Sequence, residues 1–235
     1  MLFATLHVTV KDVVTDPDGI QEVVQHRYRY GKDNLGREGF LDGAGVLYAG
    51  QDTFIARVTE ALRAIGHEGE TGRVLIAYLE NAPDSTDIAI SFINGADMEN
   101  GAYVFWNPSC LGSAPDQRGD TIRPAFIGLA HELAHISDVW HGTINRNTWM
   151  KLPDEEGGYV TVSYAELYAT HIENKIRSEN GLPLRVSYAK VFFDSWQRDV
   201  SSLLLKPGTR ESLYFDREGH TAYRRLKRGE VPMVY

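Results

Sequence analysis

The chain has 235 residues, 43% hydrophobic and 24% charged, a composition ordinary for a globular protein and long enough for one large domain or two small ones. With 24 Lys and Arg against 32 Asp and Glu the net charge is −8, and no basic run is interleaved with aromatics, which argues against general nucleic-acid binding. A single cysteine, Cys110, excludes an internal disulfide and fits a reducing compartment; no stretch approaches the ~18 apolar residues of a membrane span, and MLFATLHVTVKDVV lacks the regions of a signal peptide.

Residues 2–14 and 20–31 alternate apolar and polar around the turn Asp16-Pro17-Asp18-Gly19, so an N-terminal β-hairpin is predicted. The Gly-rich stretch Gly31–Gly45 reads as a loop or boundary. Thr53–Ile65 has helical spacing, with Phe54, Ile55, Val58, Ala61, Leu62 and Ile65 on one side, and a second short helix opens at Thr71-Gly72 and runs through Leu79. Thr86–Ile93 and Ala102–Asn107 have strand character, and a Gly/Pro/Ser loop then leads to Asp120. Ala125–Trp140 is an apolar helical run stopped near Gly142, followed by a polar stretch over residues 143–160. Ser163 caps the next helix, which runs to about Ser178 and ends at Asn180-Gly181-Leu182-Pro183. A further helix is predicted over Tyr188–Leu204, and residues 211–226 read as a hairpin turning near Glu218-Gly219. The late basic cluster Arg224, Arg225, Lys227 and Arg228 reads as a solvated face. The expected organisation is N-terminal strands and loop over 1–45, a central domain over 46–205 and a C-terminal hairpin or tail over 206–235.

The chemistry is concentrated in His131-Glu132-Leu133-Ala134-His135, an H-E-x-x-H pattern. On a helix its histidines stand at i and i+4, so both imidazoles leave one face a turn apart and can reach one tetrahedral Zn²⁺. Glu132, one step round, can act on a water at the metal without ligating it. Composition alone gives only about 0.04 chance matches to H-[D/E]-x-x-H, and a mostly buried helix needs partners for these polar groups. The alternative is a pair of hydrogen-bonded core histidines.

A catalytic zinc usually has three protein ligands. Glu166, on the next helix, is the favoured third, with Ala169 leaving room for close helix contact. It also completes the capping box Ser163-x-x-Glu166, so two roles compete for one side chain. His141 is a rival, giving H-E-x-x-H-x-x-D-x-x-H, which resembles the metzincin pattern except that Asp138 stands where metzincins need glycine. Tyr164 and Tyr168 are further alternatives. Asp138 lies on the face of the two histidines and is either a carboxylate that orients an imidazole or an ordinary helix-end aspartate. Tyr164, Tyr168, His171, Arg185 and Tyr188 are candidate oxyanion donors. Ala102–Asn107 is a candidate edge strand for an extended substrate.

The run FIGLAHELAHISDVWHGT followed by SYAELYATHIENKIRSENGLPLRVSY, with YAGQDTFIARVTEAL and VFWNP upstream, resembles the M91 family of zinc metallopeptidases over about residues 48–188. That family includes type III secreted effectors that cut host signalling kinases, and toxin-like domains of larger secreted proteins. The resemblance implies zinc ligation by His131 and His135, with Glu132 as the base. Glu166 falls where the family carries an acidic residue, although the family often has two adjacent acids there and this chain has Ala165-Glu166. His171 stands where glycine is common.

The fold expected is α+β and zincin-like: a small, mainly antiparallel sheet packed on the H-E-x-x-H helix, with the Glu166 helix closing the site. The function expected is a zinc-dependent endopeptidase, with a protein substrate such as a host signalling kinase, no nucleic-acid or membrane partner, a monomeric state, and secretion by a signal-less route. Two other readings are a non-catalytic interaction module holding a structural zinc, against which the intact Glu132 argues, and a zinc hydrolase of a non-peptide amide.

Overall fold

Alternation at the N-terminus produces a long hairpin, β1 (Leu6–Thr15) and β2 (Gln21–Lys32), antiparallel with His7 opposite Arg29 and Thr15 opposite Gln21. The computed structural model describes residues 6–15, 17–153, 156–189, 202–220 and 223–235. The Gly-rich stretch after β2 is not wholly a loop. Glu38–Leu41 forms β3 against β2, because Phe40 and Leu41 find the core there.

These strands continue into the rest of the sheet. β4 (Thr86–Ile90) runs parallel to β1 and to β6 (Tyr103–Trp106), and the two-residue β5 (Gly95–Ala96) pairs antiparallel with β6. The order is β3-β2-β1-β4-β6-β5. The strand expected at the edge, β6, is therefore interior: β4 and β5 take both its sides, and its alternate residues Val104 and Trp106 are buried. β4 stops at Ile90, where Ser91 N–H donates to the Trp106 carbonyl and the chain turns, leaving Phe92 and Ile93 exposed.

Among the described residues four helices accompany this sheet: α1 (Thr53–His67), α2 (Glu70–Asn81), α3 (Ala125–Trp140) and α4 (Tyr164–Glu179). Asp52 caps α1, its carboxylate accepting from the backbone N–H groups of Phe54 and Ile55. Gly181, at a φ of 66°, ends α4 in the left-handed region that a helix terminus of this kind requires. The stretch 143–160, read as polar connection, contains most of a two-stranded ribbon, β7 (Thr148–Pro153) with β8 (Tyr159–Ser163). The C-terminal hairpin also differs from expectation. β9 (Glu211–Asp216) pairs with β10 (Pro232–Val234), while Leu226 adds a single bond, its N–H donating to the Leu213 carbonyl. Most of the helix expected over Tyr188–Leu204 lies outside the described residues. Its described flanks pair with each other, Tyr188 N–H donating to Ser202 and Leu204 N–H to Val186.

The molecule is thus mixed α+β with mainly antiparallel pairing, and α3 lies at its centre. The main core joins Leu6, Val8, Tyr30, Ile88, Val104 and Trp106 of the sheet to α1, α2 and the apolar residues of α3. A second cluster, including Leu167, Leu184, Val186, Leu205, Tyr214 and Phe215, packs on another face of α4. Neighbours on all sides explain why α3 is apolar nearly all round. Among the described residues no helix is long and apolar enough to cross a membrane.

Candidate metal centre

The burial of α3 runs without interruption from Ile127 to Asp138, so His131, Glu132 and His135 are all buried. Gly128, a turn before His131, permits close packing at the start of the helix. A Cβ there would lie 2.8 Å from Asn94 Nδ2 and 3.3 Å from Arg123 Nη2. The imidazoles of His131 and His135 have centroids 5.0 Å apart and planes at 82°, as the i, i+4 spacing on one helix face dictates.

Glu166 meets them from the first turn of α4. Its Oε2 lies 3.1 Å from His131 Nε2 and 3.4 Å from His135 Nε2. The capping box does not form: Ser163 stands at the N-cap but makes no side-chain cap hydrogen bond. Other groups satisfy the first amides of α4, Tyr164 N–H donating to the Asn147 carbonyl and Ala165 N–H to that of Asn145. The Glu166 carboxylate points instead at the histidines. Ala165 and Ala169, on the same helix, are both fully buried.

The three donors lie within 4.8 Å of one another and could hold a metal ion. Ligands bound at about 2.0–2.1 Å around a tetrahedral zinc stand about 3.3 Å apart, so contacts of 3.1 and 3.4 Å fit such an ion with little movement. Two imidazoles and one carboxylate also form a donor set that zinc accepts, with a fourth position left over.

His131 has a second bond behind the site. Its Nδ1 lies 3.1 Å from Glu173 Oε2, and because an ionised carboxylate only accepts, Nδ1 is the donor and carries the proton. Glu173 is fully buried and is also bonded to Arg177 (2.8 Å), Arg185 (3.0 Å) and Arg123 (3.3 Å). Burial opposes the charge of Glu173, but the Arg185, Arg123 and Arg177 guanidiniums and the His131 bond hold its carboxyl well below the usual range.

Burial likewise opposes the charged form of His131, yet the hydrogen bonds to Glu166 and Glu173 and the Glu132 charge push its pKa up to about 9. A proton and a metal ion would compete for the same Nε2 lone pair. For Glu166, burial is outweighed by His135 and the bond to His131, which keep its carboxyl well below the usual range. Glu132 is different. Burial raises its pKa against the partial relief of the two histidines, which makes it a better proton acceptor than an ordinary glutamate.

The other candidates lie elsewhere. His141 turns away from the cluster, donating from Nδ1 to the Ser137 carbonyl at 2.7 Å and stacking on Tyr78 at 3.9 Å. The helix passes Asp138 without the sharp turn that a third histidine would need, so the metzincin-like alternative does not apply. The Asp138 carboxylate accepts from Thr143 Oγ1 at 2.6 Å and orients no imidazole. Tyr164 packs edge-on against Tyr223, and Tyr168 lines a separate groove with Tyr78 and His141. His171 is neither at the surface nor at the site. It stacks on Phe215 at 3.7 Å and meets the Tyr235 hydroxyl at 2.5 Å. Among the five candidate oxyanion donors, Tyr188 is near Glu166, and burial together with that negative charge raises the pKa of its hydroxyl. The guanidinium of Arg185 lies 5.0 Å from its ring centroid.

The contacts of Glu173, Arg123 and Arg177 were not anticipated. A signal was present. Glu173 is i+7 from Glu166, two turns along the same face of α4, and Arg177 is i+4 from Glu173.

A buried cluster of two histidines and a carboxylate, with a glutamate next to the first histidine, is the constellation of a metal-dependent hydrolase. The chain belongs to the M91 peptidase family, a family of effector proteins, whose model matches residues 42–188. The family supports a peptidase acting on a protein substrate. No individual curated protein matches the chain.

Proposed function

We propose that this protein is a zinc-dependent endopeptidase of zincin type that acts as an effector on host proteins, with Glu132 as its general base. The observation that carries this reading is the Glu166 oxygen lying 3.1 and 3.4 Å from the Nε2 atoms of His131 and His135, beside a buried Glu132. His131, His135 and Glu166 would hold the ion. Zinc bound there would supply Lewis acidity, polarising a scissile carbonyl and lowering the pKa of water.

The remaining work falls to the chain itself. Glu132 takes the proton of the attacking water and passes it to the departing amine, a task that its raised pKa suits. We assign to the Tyr188 hydroxyl, near Glu166, the donation to the carbonyl oxygen as negative charge builds there. An extended substrate finds its edge at β5 in place of β6. Asp97 N–H bonds to Tyr103 and Gly95 faces Phe105, so the intervening Ala96 turns its own N–H and C=O outward from the sheet. The effector character of the family favours an intracellular host protein as substrate, and host signalling kinases are the class we propose.

Metal analysis and a cleavage comparison test this reading together. Wild type is expected to carry an equimolar amount of zinc, and His131→Ala to lose it. Glu132→Gln should keep the zinc while cleaving host proteins about 10²–10⁴-fold more slowly. A Glu132→Gln protein that cleaves like wild type would sink the assignment of the base.

A further inference from the structure

Of the two histidines, one is anchored and the other is not. His135 Nδ1 is buried with no hydrogen-bond partner among the described residues, so packing alone orients that ring. His131 Nδ1 donates to Glu173 Oε2. The same oxygen accepts from Arg123 and Arg185, while Oε1 accepts from Arg177 Nε. These guanidiniums come from three different places: ahead of α3, near the end of α4, and beyond α4 in the segment leading to Tyr188. Arg177 is tied further to the Pro183 carbonyl, and Arg185 to the carbonyls of Ser187 and Tyr188. The carboxylate is therefore clamped from several directions and cannot swing away from His131.

We infer that Glu173 is a positioning residue, which fixes the His131 ring with its proton on Nδ1 and its Nε2 lone pair aimed at the metal, and that Arg123, Arg177 and Arg185 clamp Glu173 for this purpose. The inference rests on the metal reading above. A buried carboxylate could instead serve only to neutralise three arginines, which would be a matter of folding. The two roles separate because only positioning requires the Glu173–His131 bond. Glu173→Asp keeps a negative charge among the arginines but withdraws it from His131 by one methylene. Glu173→Gln keeps the reach but removes the charge.

The test is zinc affinity by chelator competition on the full chain, with Tm measured alongside, and the ¹⁵N NMR spectrum of the histidines in zinc-loaded wild type. Glu173→Asp and Glu173→Gln should each bind zinc about 10–100-fold more weakly. Wild-type His131 should show a protonated Nδ1 and a metal-bound Nε2. Zinc bound by wild type through Nδ1 of His131 would overturn the inference, whether or not the variants fold. So would a folded Glu173→Asp protein with wild-type zinc affinity. Wild type that binds no zinc would overturn the metal reading itself, and this assignment with it.

Discussion

Burial disfavours the charged form of two histidines on facing helices, yet their net shifts are opposite. His131 is surrounded by carboxylates and is pushed up to about 9, whereas His171, stacked on Phe215, is pushed down to about 3 by burial and by the Lys175 charge. His171 is therefore neutral in the folded protein, and its role is packing, with its Nδ1 against the Tyr235 hydroxyl. The sign of its effect on stability follows. Below about 6.5 the unfolded chain binds a proton that the folded chain refuses until about pH 3. Its stabilising contribution is complete above about 6.5 and is lost as pH falls toward 3, at up to about 1.4 kcal/mol per pH unit. His171→Phe keeps the stacked ring and removes the titration. Urea melts of the two proteins between pH 6.5 and 4.5 should show a shallower loss of stability in the variant, and identical slopes would refute this account.

Among the elements, the α1–α2 corner is the tightest joint. α2 starts three residues after α1 ends, and Gly72 packs on the last turn of α1 so closely that a Cβ would stand 1.7 Å from the Ile65 carbonyl oxygen. Helix α4 closes this joint from below, as Glu179 accepts from Thr71 N–H at 3.0 Å and from Thr71 Oγ1 at 2.7 Å. Backbone cannot yield as a flexible side chain can, so Gly72→Ala should force α1 and α2 apart, despite alanine's better helix propensity. A loss of about 1–3 kcal/mol is expected, lowering Tm by about 2–4 °C for each kcal/mol. A Tm equal to or above that of wild type would show that the corner is looser than described.

At the scale of the whole molecule, the segment matched by the family begins at residue 42, yet the sheet and the main core draw on residues before it. β1 lies between β2 and β4, and Leu6, Val8, Tyr30 and Phe40 are each at most 2% exposed. Losing one such side chain costs about 2–5 kcal/mol, against a total stability of about 5–15 kcal/mol for a typical domain. A chain starting at residue 42 is thus expected to be unfolded or aggregated. Circular dichroism and a cooperative melt check this, and a cooperative transition near that of the full chain would count against it.

The residue pattern by itself determined the helix and the relative placing of its two histidines. Ala125–Trp140 is the helix expected, and the i, i+4 histidines share a face because helical geometry is local. Glu166 also falls where it was expected, but the sequence left its capping role and its metal role in competition. In the tertiary structure Ser163 makes no side-chain cap bond and the Glu166 carboxylate lies against the two histidines. His141 is removed as a rival in the same way, by a bond to Ser137 and a ring beneath it from Tyr78, sixty-odd residues earlier. The interior place of β6 and the bond from Arg123 to Glu173 depend on segments far apart in the chain. Spacing within one helix can be read from sequence because each residue's direction follows from its neighbours. Which buried carboxylate faces which imidazole was decided only when distant segments packed and each buried polar group had to find a partner.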